Sequence, residues 1–414
     1  MADFQAYVGP YDLAIACARD KNKYHCIFID VGRHVPSYSG PESTSLQNLS
    51  FLLNRKILPD KKRVASTTML YVIGEWKVSD PSTTVDKPEK LDHGDDELTT
   101  NKGRTVSRQE VEWDGGIERI CKLIEKLPNL KELTWISSLP FTEAVWSALP
   151  STTLSTLVID VGAPVHLDSN YSNRPTYISQ ESMKPLVNFR NLKELRIFNI
   201  HNSLQSIIWE TVYRNTSDNK GMSVLDLSMA SGPFVRDQPW NKAKDVMGLN
   251  VTISKKEEYL GVPNGGGVLH HEHGTGEYLD RLCMMKARKT SYTNTCRELR
   301  LCSLKLDGFV VDHLPFEYEL SRIVLLTCGE NCVDAGLRAP KSVDPQDNWG
   351  FFGHDRVSQC LIAFPHWLGI FDAEGKEKSN HGTRVSQRHV HISRPAPNAT
   401  APRPPSLSSS LVLL

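Results

Sequence analysis

The chain carries no excess of either charge: 48 Lys plus Arg stand against 48 Asp plus Glu. Without a bulk field, neither a nucleic-acid backbone nor an anionic membrane is an expected partner. No apolar run approaches the ~20 residues that span a bilayer. The start, Met1-Ala2-Asp3-Phe4-Gln5, has neither a basic end nor an apolar stretch, so no secretory signal is expected. The nine cysteines are odd in number and include no C-x-x-C pair. That spacing excludes a disulfide-stapled secreted domain and favours free thiols in a reducing compartment, hence a cytoplasmic or nuclear protein. A G-x-S-x-G elbow, an H-E-x-x-H pair and a phosphate-cradling glycine loop are also missing. No catalytic residues, no cofactor and no small-molecule substrate are expected.

What the chain does contain is a repeat. Leu130-Lys131-Glu132-Leu133-Thr134-Trp135 returns as Leu192-Lys193-Glu194-Leu195-Arg196-Ile197, 62 positions later (192 − 130). The helical phrases around Trp146 and Trp209 recur with it, and both tryptophans read as core of their repeats. Shorter versions of L-x-x-L-x-L stand at Tyr24/Ile27/Ile29, Leu154/Leu157/Ile159, Met222/Leu225/Leu227, Leu301/Leu304/Leu306 and Leu320/Ile323/Leu325. A strand and helix of this kind cannot bury an apolar face alone, so neighbours must stack on a shared core. The expected fold is α/β: an irregular leucine-rich-repeat solenoid with parallel β-strands on the concave face and helices outside. Asn129 and Asn191 precede their strands, whereas the regular motif carries its asparagine after them.

The organisation follows from where the pattern breaks. Residues 1–340 read as the solenoid, with polar or aperiodic insertions at 79–113 and 228–276. Residues 341–372 hold an aromatic patch suited to a C-terminal cap, and 373–414 are proline- and serine-rich and expected to be disordered. Helices are expected over Leu46–Ile57, 116–126, Ser203–Arg214 and Gly276–Lys289, with strands at Met69–Ile73 and at Leu249–Ile253.

The chemical candidates are few. His270-His271-Glu272-His273 has metal-ligating side chains, but four successive residues after Gly265-Gly266-Gly267 point different ways on a loop. The acidic run Asp92–Glu97 lacks calcium-loop spacing. Cys328 and Cys332 bracket Gly329-Glu330-Asn331, too few ligands for zinc and best read as buried or idle thiols. An enzyme or metal-binding protein with its site in the 228–276 insertion is the alternative to a binding scaffold. The tail arginines Arg384, Arg388, Arg394 and Arg403 have no aromatic platform for nucleic acid.

The phrases Leu130–Trp135, Ile208-Trp209-Glu210-Thr211-Val212-Tyr213 and Leu306-Asp307-Gly308-Phe309-Val310-Val311-Asp312 resemble those of uncharacterised fungal proteins with irregular leucine-rich repeats, a group associated with F-box proteins. The resemblance spans roughly residues 20 to 340. It implies a repeat fold and a binding role, with substrate adaptor as one form of it. No F-box is recognisable, since Leu58-Pro59-Asp60 runs into Lys61-Lys62-Arg63.

Alternation along each strand then separates two faces. Leu133, Leu157, Leu195, Leu225, Leu304 and Ile323 are expected in one inward ladder. Outward lie Glu132, Thr134, Ile136, Val158, Asp160, Glu194, Arg196, Phe198, Asp226, Lys305, Asp307 and Arg322, the expected partner-binding residues, with Val224, Val324 and Leu326 exposed among them. This mixture suits a protein or peptide ligand, centred on Arg196 with Phe198.

Overall fold

The structure is a computed structural model, and its described residues are 25–31, 46–76, 107–167, 175–217, 220–235, 268, 274–291, 299–312, 314–335, 337 and 361–363. Nine strands form one parallel sheet in strict chain order: β1 Cys26–Asp30, β2 Met69–Gly74, β3 Glu132–Ser137, β4 Thr156–Asp160, β5 Glu194–Ile200, β6 Val224–Met229, β7 Ser303–Asp307, β8 Leu325–Cys328 and β9 Leu361–Ala363. The sheet is open, with β1 and β9 at its edges. One hydrogen-bonding device sets the register at every junction from β1 to β8. The carbonyl of His25, just before β1, accepts the N–H groups of both Thr68 and Met69, and Thr68, Lys131, Ser155, Lys193, Ser223 and Cys302 repeat the arrangement toward the next strand. Asn129 and Asn191 add a side-chain tie to the preceding turn, donating to the carbonyls of Ala65 and Thr152 at 2.8 and 2.6 Å.

That register places Leu70, Leu133, Leu157, Leu195, Leu225, Leu304 and Leu326 side by side. Leu326, not Ile323, is the β8 member, so the outward assignment of Leu326 is corrected: it is fully buried. The phrase that matters there is Ile323/Leu326/Cys328, in which a cysteine fills the last apolar position. Ile323 is buried too, but it precedes the strand. Arg322 lies in the turn before β8 and Val324 next to it, both exposed and neither on the strand. β9 carries the sheet beyond Lys341, where the repeat was expected to have stopped.

Helices α1 Leu46–Phe51, α2 Lys61–Ser66, α3 Arg108–Ile124, α4 Glu143–Ala148, α5 Gln180–Met183, α6 Gln205–Arg214, α7 Arg281–Thr290 and α8 Leu314–Glu317 lie between the strands in sequence. Leu52–Ile57 continues α1 as a π-helix, and Lys184–Asn188 continues α5 as a 3-10 turn. α3 starts earlier than the apolar spacing implies, taking in residues assigned to the 79–113 insertion. Ser107 caps it, accepting from the Glu110 N–H while Glu110 accepts from the Ser107 N–H, and this closed capping box fixes the first turn. α7 starts later than expected because Glu277–Tyr278 is a short strand and Asp280 caps the helix through the Leu282 N–H at 2.8 Å. Cys283, Met284 and Ala287 are its buried face.

The helices share one core with one side of the sheet. Leu133, Trp135, Leu157, Leu195, Ile197, Leu225, Leu304 and Leu306 face Ile120, Trp146, Ile208, Trp209, Met284 and Phe316 in a single cluster. A chain of rings, Trp135, Phe141, Trp146 and Phe189, runs through it at centroid spacings of 5.7, 4.8 and 5.5 Å, the first two contacts edge-to-face and the last tilted. In β5 a bulge at Asn199, whose φ is 56°, lets Ile197 and Ile200 both reach this core; the extra residue shifts the alternation by one.

The helix side also buries an acid. Glu277, 3% exposed, accepts from Ser203 Oγ at 2.7 Å and from Gln205 Nε2 at 2.6 Å. Gln205 is the hub, since its Nε2 also donates to the Tyr278 carbonyl and its Oε1 accepts from Trp209 Nε1. Burial pushes the Glu277 carboxyl up to about 8, against the pull of these hydrogen bonds. Next to it the chain of the long insertion is pinched: Phe234–Val235 pairs antiparallel with Gly274–Thr275. Gly276 follows at φ 140°, where a Cβ would fall 2.5 Å from Pro233 Cβ, so the pinch needs a residue without a side chain.

Candidate functional site

The candidate site is the face of the sheet turned away from the helices. Register sets Phe28, Tyr71, Thr134, Val158, Arg196, Asp226, Lys305, Thr327 and Ala363 in one line across all nine strands. This line changes character between β4 and β5. On the β1 side, Cys26, Tyr71, Ile73, Ile136, Val158 and Phe198 form a second hydrophobic cluster, with Met69 packed against it. Ile136, Val158 and Phe198 are 5, 8 and 5% exposed, so the expectation that they stand free on an open sheet is corrected. Branched and aromatic side chains on adjacent strands, ~4.8 Å apart, pack against one another in this cluster.

From β5 to β7 the line is ionic. Arg196 Nε donates to Glu194 Oε1 at 2.5 Å, two residues away on the same face. Asp226 Oδ2 lies 3.8 Å from Arg196 Nη1 and 3.9 Å from Lys305 Nζ. The Asp226 side chain is 4% exposed, against 15% for Arg196 and 22% for Lys305. This deep carboxylate has a cation in the neighbouring position on either side, the arrangement that favours the ionised form of a buried acid. Burial pushes the Lys305 ammonium below its ordinary range, Asp226 holding against that push.

Two acids expected at the site do another job. Asp160 ends β4 and accepts from the Gly162 N–H and from Asn199 Nδ2, both at 2.8 Å, while burial raises its carboxyl against those bonds. Asp307 ends β7 and accepts from the N–H and Nδ2 of Asn331 at 3.1 and 3.0 Å. Both carboxylates fasten a turn of the chain that follows. Glu132 is half-buried and Thr134 buried in the apolar half. The structure therefore brings Glu194, Arg196, Asp226 and Lys305 together beside Val158 and Phe198, and leaves Arg322 outside. Sequence reasoning missed Phe28, Met69, Tyr71 and Thr327, although alternation applied to β1, β2 and a correctly framed β8 would have found them.

Among the described residues no group of three or more His, Cys, Asp or Glu side chains is arranged to hold a metal ion. No helix among them is long and apolar enough to cross a membrane. His270–His273, Gly265–Gly267, Asp92–Glu97, Leu249–Ile253, the 341–360 aromatic residues and the tail arginines lie outside the described residues. Comparison with known proteins finds no matching family model, no matching curated protein and no matching solved structure.

Proposed function

We propose that the chain is a non-enzymatic protein-interaction scaffold, an irregular leucine-rich-repeat solenoid that holds a protein or peptide ligand on its open sheet face, with substrate adaptor as one such role. The observation that carries this reading is the junction on that face: a packed apolar cluster meets a row of alternating charges, Arg196, Asp226 and Lys305. Phe28, 37% exposed at the apolar end, and the partly exposed Arg196 and Lys305 at the ionic end offer contact and register to a ligand with an apolar segment beside a polar one. The junction offers a duplex or phosphate backbone little, because the acids Glu194 and Asp226 stand among the bases. A cytoplasmic or nuclear location belongs to the same reading, supported by the free thiols Cys26, Cys121, Cys283, Cys302, Cys328 and Cys332.

Photo-crosslinking tests it by position. A benzoylphenylalanine in place of Phe28 or Thr327, on the open face, is compared in cells with one in place of Val111, which is 57% exposed on α3. The expected result is a shared crosslinked partner from the two open-face positions, lost when Lys305→Glu is added. Crosslinks confined to Val111 would overturn the site.

A further inference from the structure

The pair Cys328 and Cys332 has no place in the proposed binding role, yet the fold brings the two thiols together. Cys328 ends β8 inside the main core and is 2% exposed, whereas Cys332 sits partly exposed on the turn that follows. Cys332 packs against the core cluster that contains Cys328, and Leu306, which lies opposite Cys328 in the β7–β8 register, is the residue its thiol reaches. The Cys332 thiol donates to the Leu306 carbonyl at 3.3 Å. Its backbone N–H closes the turn on the Gly329 carbonyl at 3.1 Å.

The turn is clamped from β7. Asp307 grips Asn331 through two hydrogen bonds, and the Gly329 N–H donates to the Leu306 carbonyl at 2.7 Å. A Cβ at residue 329 would lie 2.2 Å from Asp307 Oδ1, so glycine is what lets the carboxylate come this close. The electrostatics set the pair apart from the other buried thiols. Burial pushes Cys121 up to about 11 and Cys283 up to about 12. Cys332 moves the other way, chiefly through the Cys328 side chain, with backbone donors at Phe309 and Gly329 helping and burial opposing. A lowered, partly exposed thiol beside a second thiol is the arrangement that thiol–disulfide exchange requires.

We propose that the turn after β8 is an oxidation site at which Cys328 and Cys332 form a reversible disulfide with small disulfide oxidants such as glutathione disulfide. The exposed Cys332 thiolate attacks one sulfur of the oxidant and a glutathione thiolate leaves with the bonding pair. Cys328 then gives its proton to the departing thiolate or to water, and its sulfur attacks the Cys332 sulfur of the mixed disulfide, releasing the second glutathione. Two protein thiols lose two electrons and two protons in all, and one disulfide becomes two thiols.

The full chain is equilibrated with graded ratios of glutathione to glutathione disulfide, quenched in acid, alkylated and mapped by mass spectrometry. The peptide carrying both cysteines should lose two hydrogen atoms and escape alkylation at both positions, and dithiothreitol should reverse this. Cys121 and Cys283 should stay reduced. Cys328→Ala should stop at a glutathione adduct on Cys332, and Cys332→Ser, on the partly exposed turn, should leave Cys328 unmodified. A wild-type adduct on Cys332 that never closes, or a link that forms only after denaturation, would overturn the proposal.

Discussion

Two regions of the fold each bury a carboxylate, and they surround it with different partners. Asp226 on the open face and Glu277 on the helix side are both 3% exposed. Asp226 has cationic nitrogens 3.8 and 3.9 Å away. Glu277 has only neutral donors, Ser203 and Gln205, and its proton affinity rises until it is held neutral below about 8. At equal depth the neighbours supplied by the adjacent strand or helix differ, and they are what favours one protonation state over the other. Beside α6 the acid meets only neutral donors and is kept protonated. On the face away from the helices the acid is set between two cations.

The comparison can be broken in several places. The largest effect is expected from Leu195→Ala on the helix side, a fully buried leucine, which should cost about 2–5 kcal/mol in urea unfolding. An unchanged midpoint would show that this face is not the core. Asp226→Ala strands two half-buried cations and should cost about 2–3 kcal/mol, below the range for a fully buried pair because Arg196 and Lys305 keep some solvent. Equal stability in Asp226→Ala and wild type at low salt would deny the row any charge.

Glu277→Gln sharpens the contrast. The folded carboxyl ionises near about 8, above its ordinary 4.5, so at neutral pH the unfolded chain holds fewer protons than the folded one. The contribution of Glu277 is full below about 4.5 and is lost as pH rises through about 8, at up to ~1.4 kcal/mol per pH unit. Glu277→Gln should flatten the stability profile between pH 5 and 8. A variant as steep as the wild type would mean that Glu277 is already ionised. The smallest effect is the coupling between Arg196 and Asp226, about 0.5–1 kcal/mol in a double-mutant cycle and shrinking as salt is added. Coupling indifferent to salt would point to packing instead.

Most of the sheet was legible because the leucine phrase marks strands whose inner positions are apolar. β8 was framed three residues early because Leu320, Ile323 and Leu325 fit the phrase as well as Ile323, Leu326 and Cys328 do. A cysteine in a leucine position hid the better fit. The start of α3 was hidden by its charged first turns, although Ser107 and Glu110 stood at capping-box spacing. At the site, alternation assigned faces correctly for β3 to β7 but said nothing of depth. That Ile136, Val158 and Phe198 join one buried cluster depends on residues of other strands. So does the meeting of Arg196, Asp226 and Lys305, which come from strands whose starts lie 30 (224 − 194) and 79 (303 − 224) residues apart. The Glu277 network had one signal, a glutamine at position 205 on the buried face of an amphipathic helix.

The pinch between Phe234–Val235 and Gly274–Thr275 bears on how this chain accommodates a long excursion. The starts of β7 and β8 are only 22 residues apart (325 − 303), those of β6 and β7 79, yet both pairs meet in the same register. Closing a flexible loop grows only with the logarithm of its length, so the longer excursion carries a penalty of about 1 kcal/mol over the shorter one. The antiparallel neck removes part of even that, because it holds the two ends of the excursion side by side. The point where the chain leaves the described fold after Val235 is thus also the point where it rejoins it at Gly274, and the ladder beneath keeps its alignment.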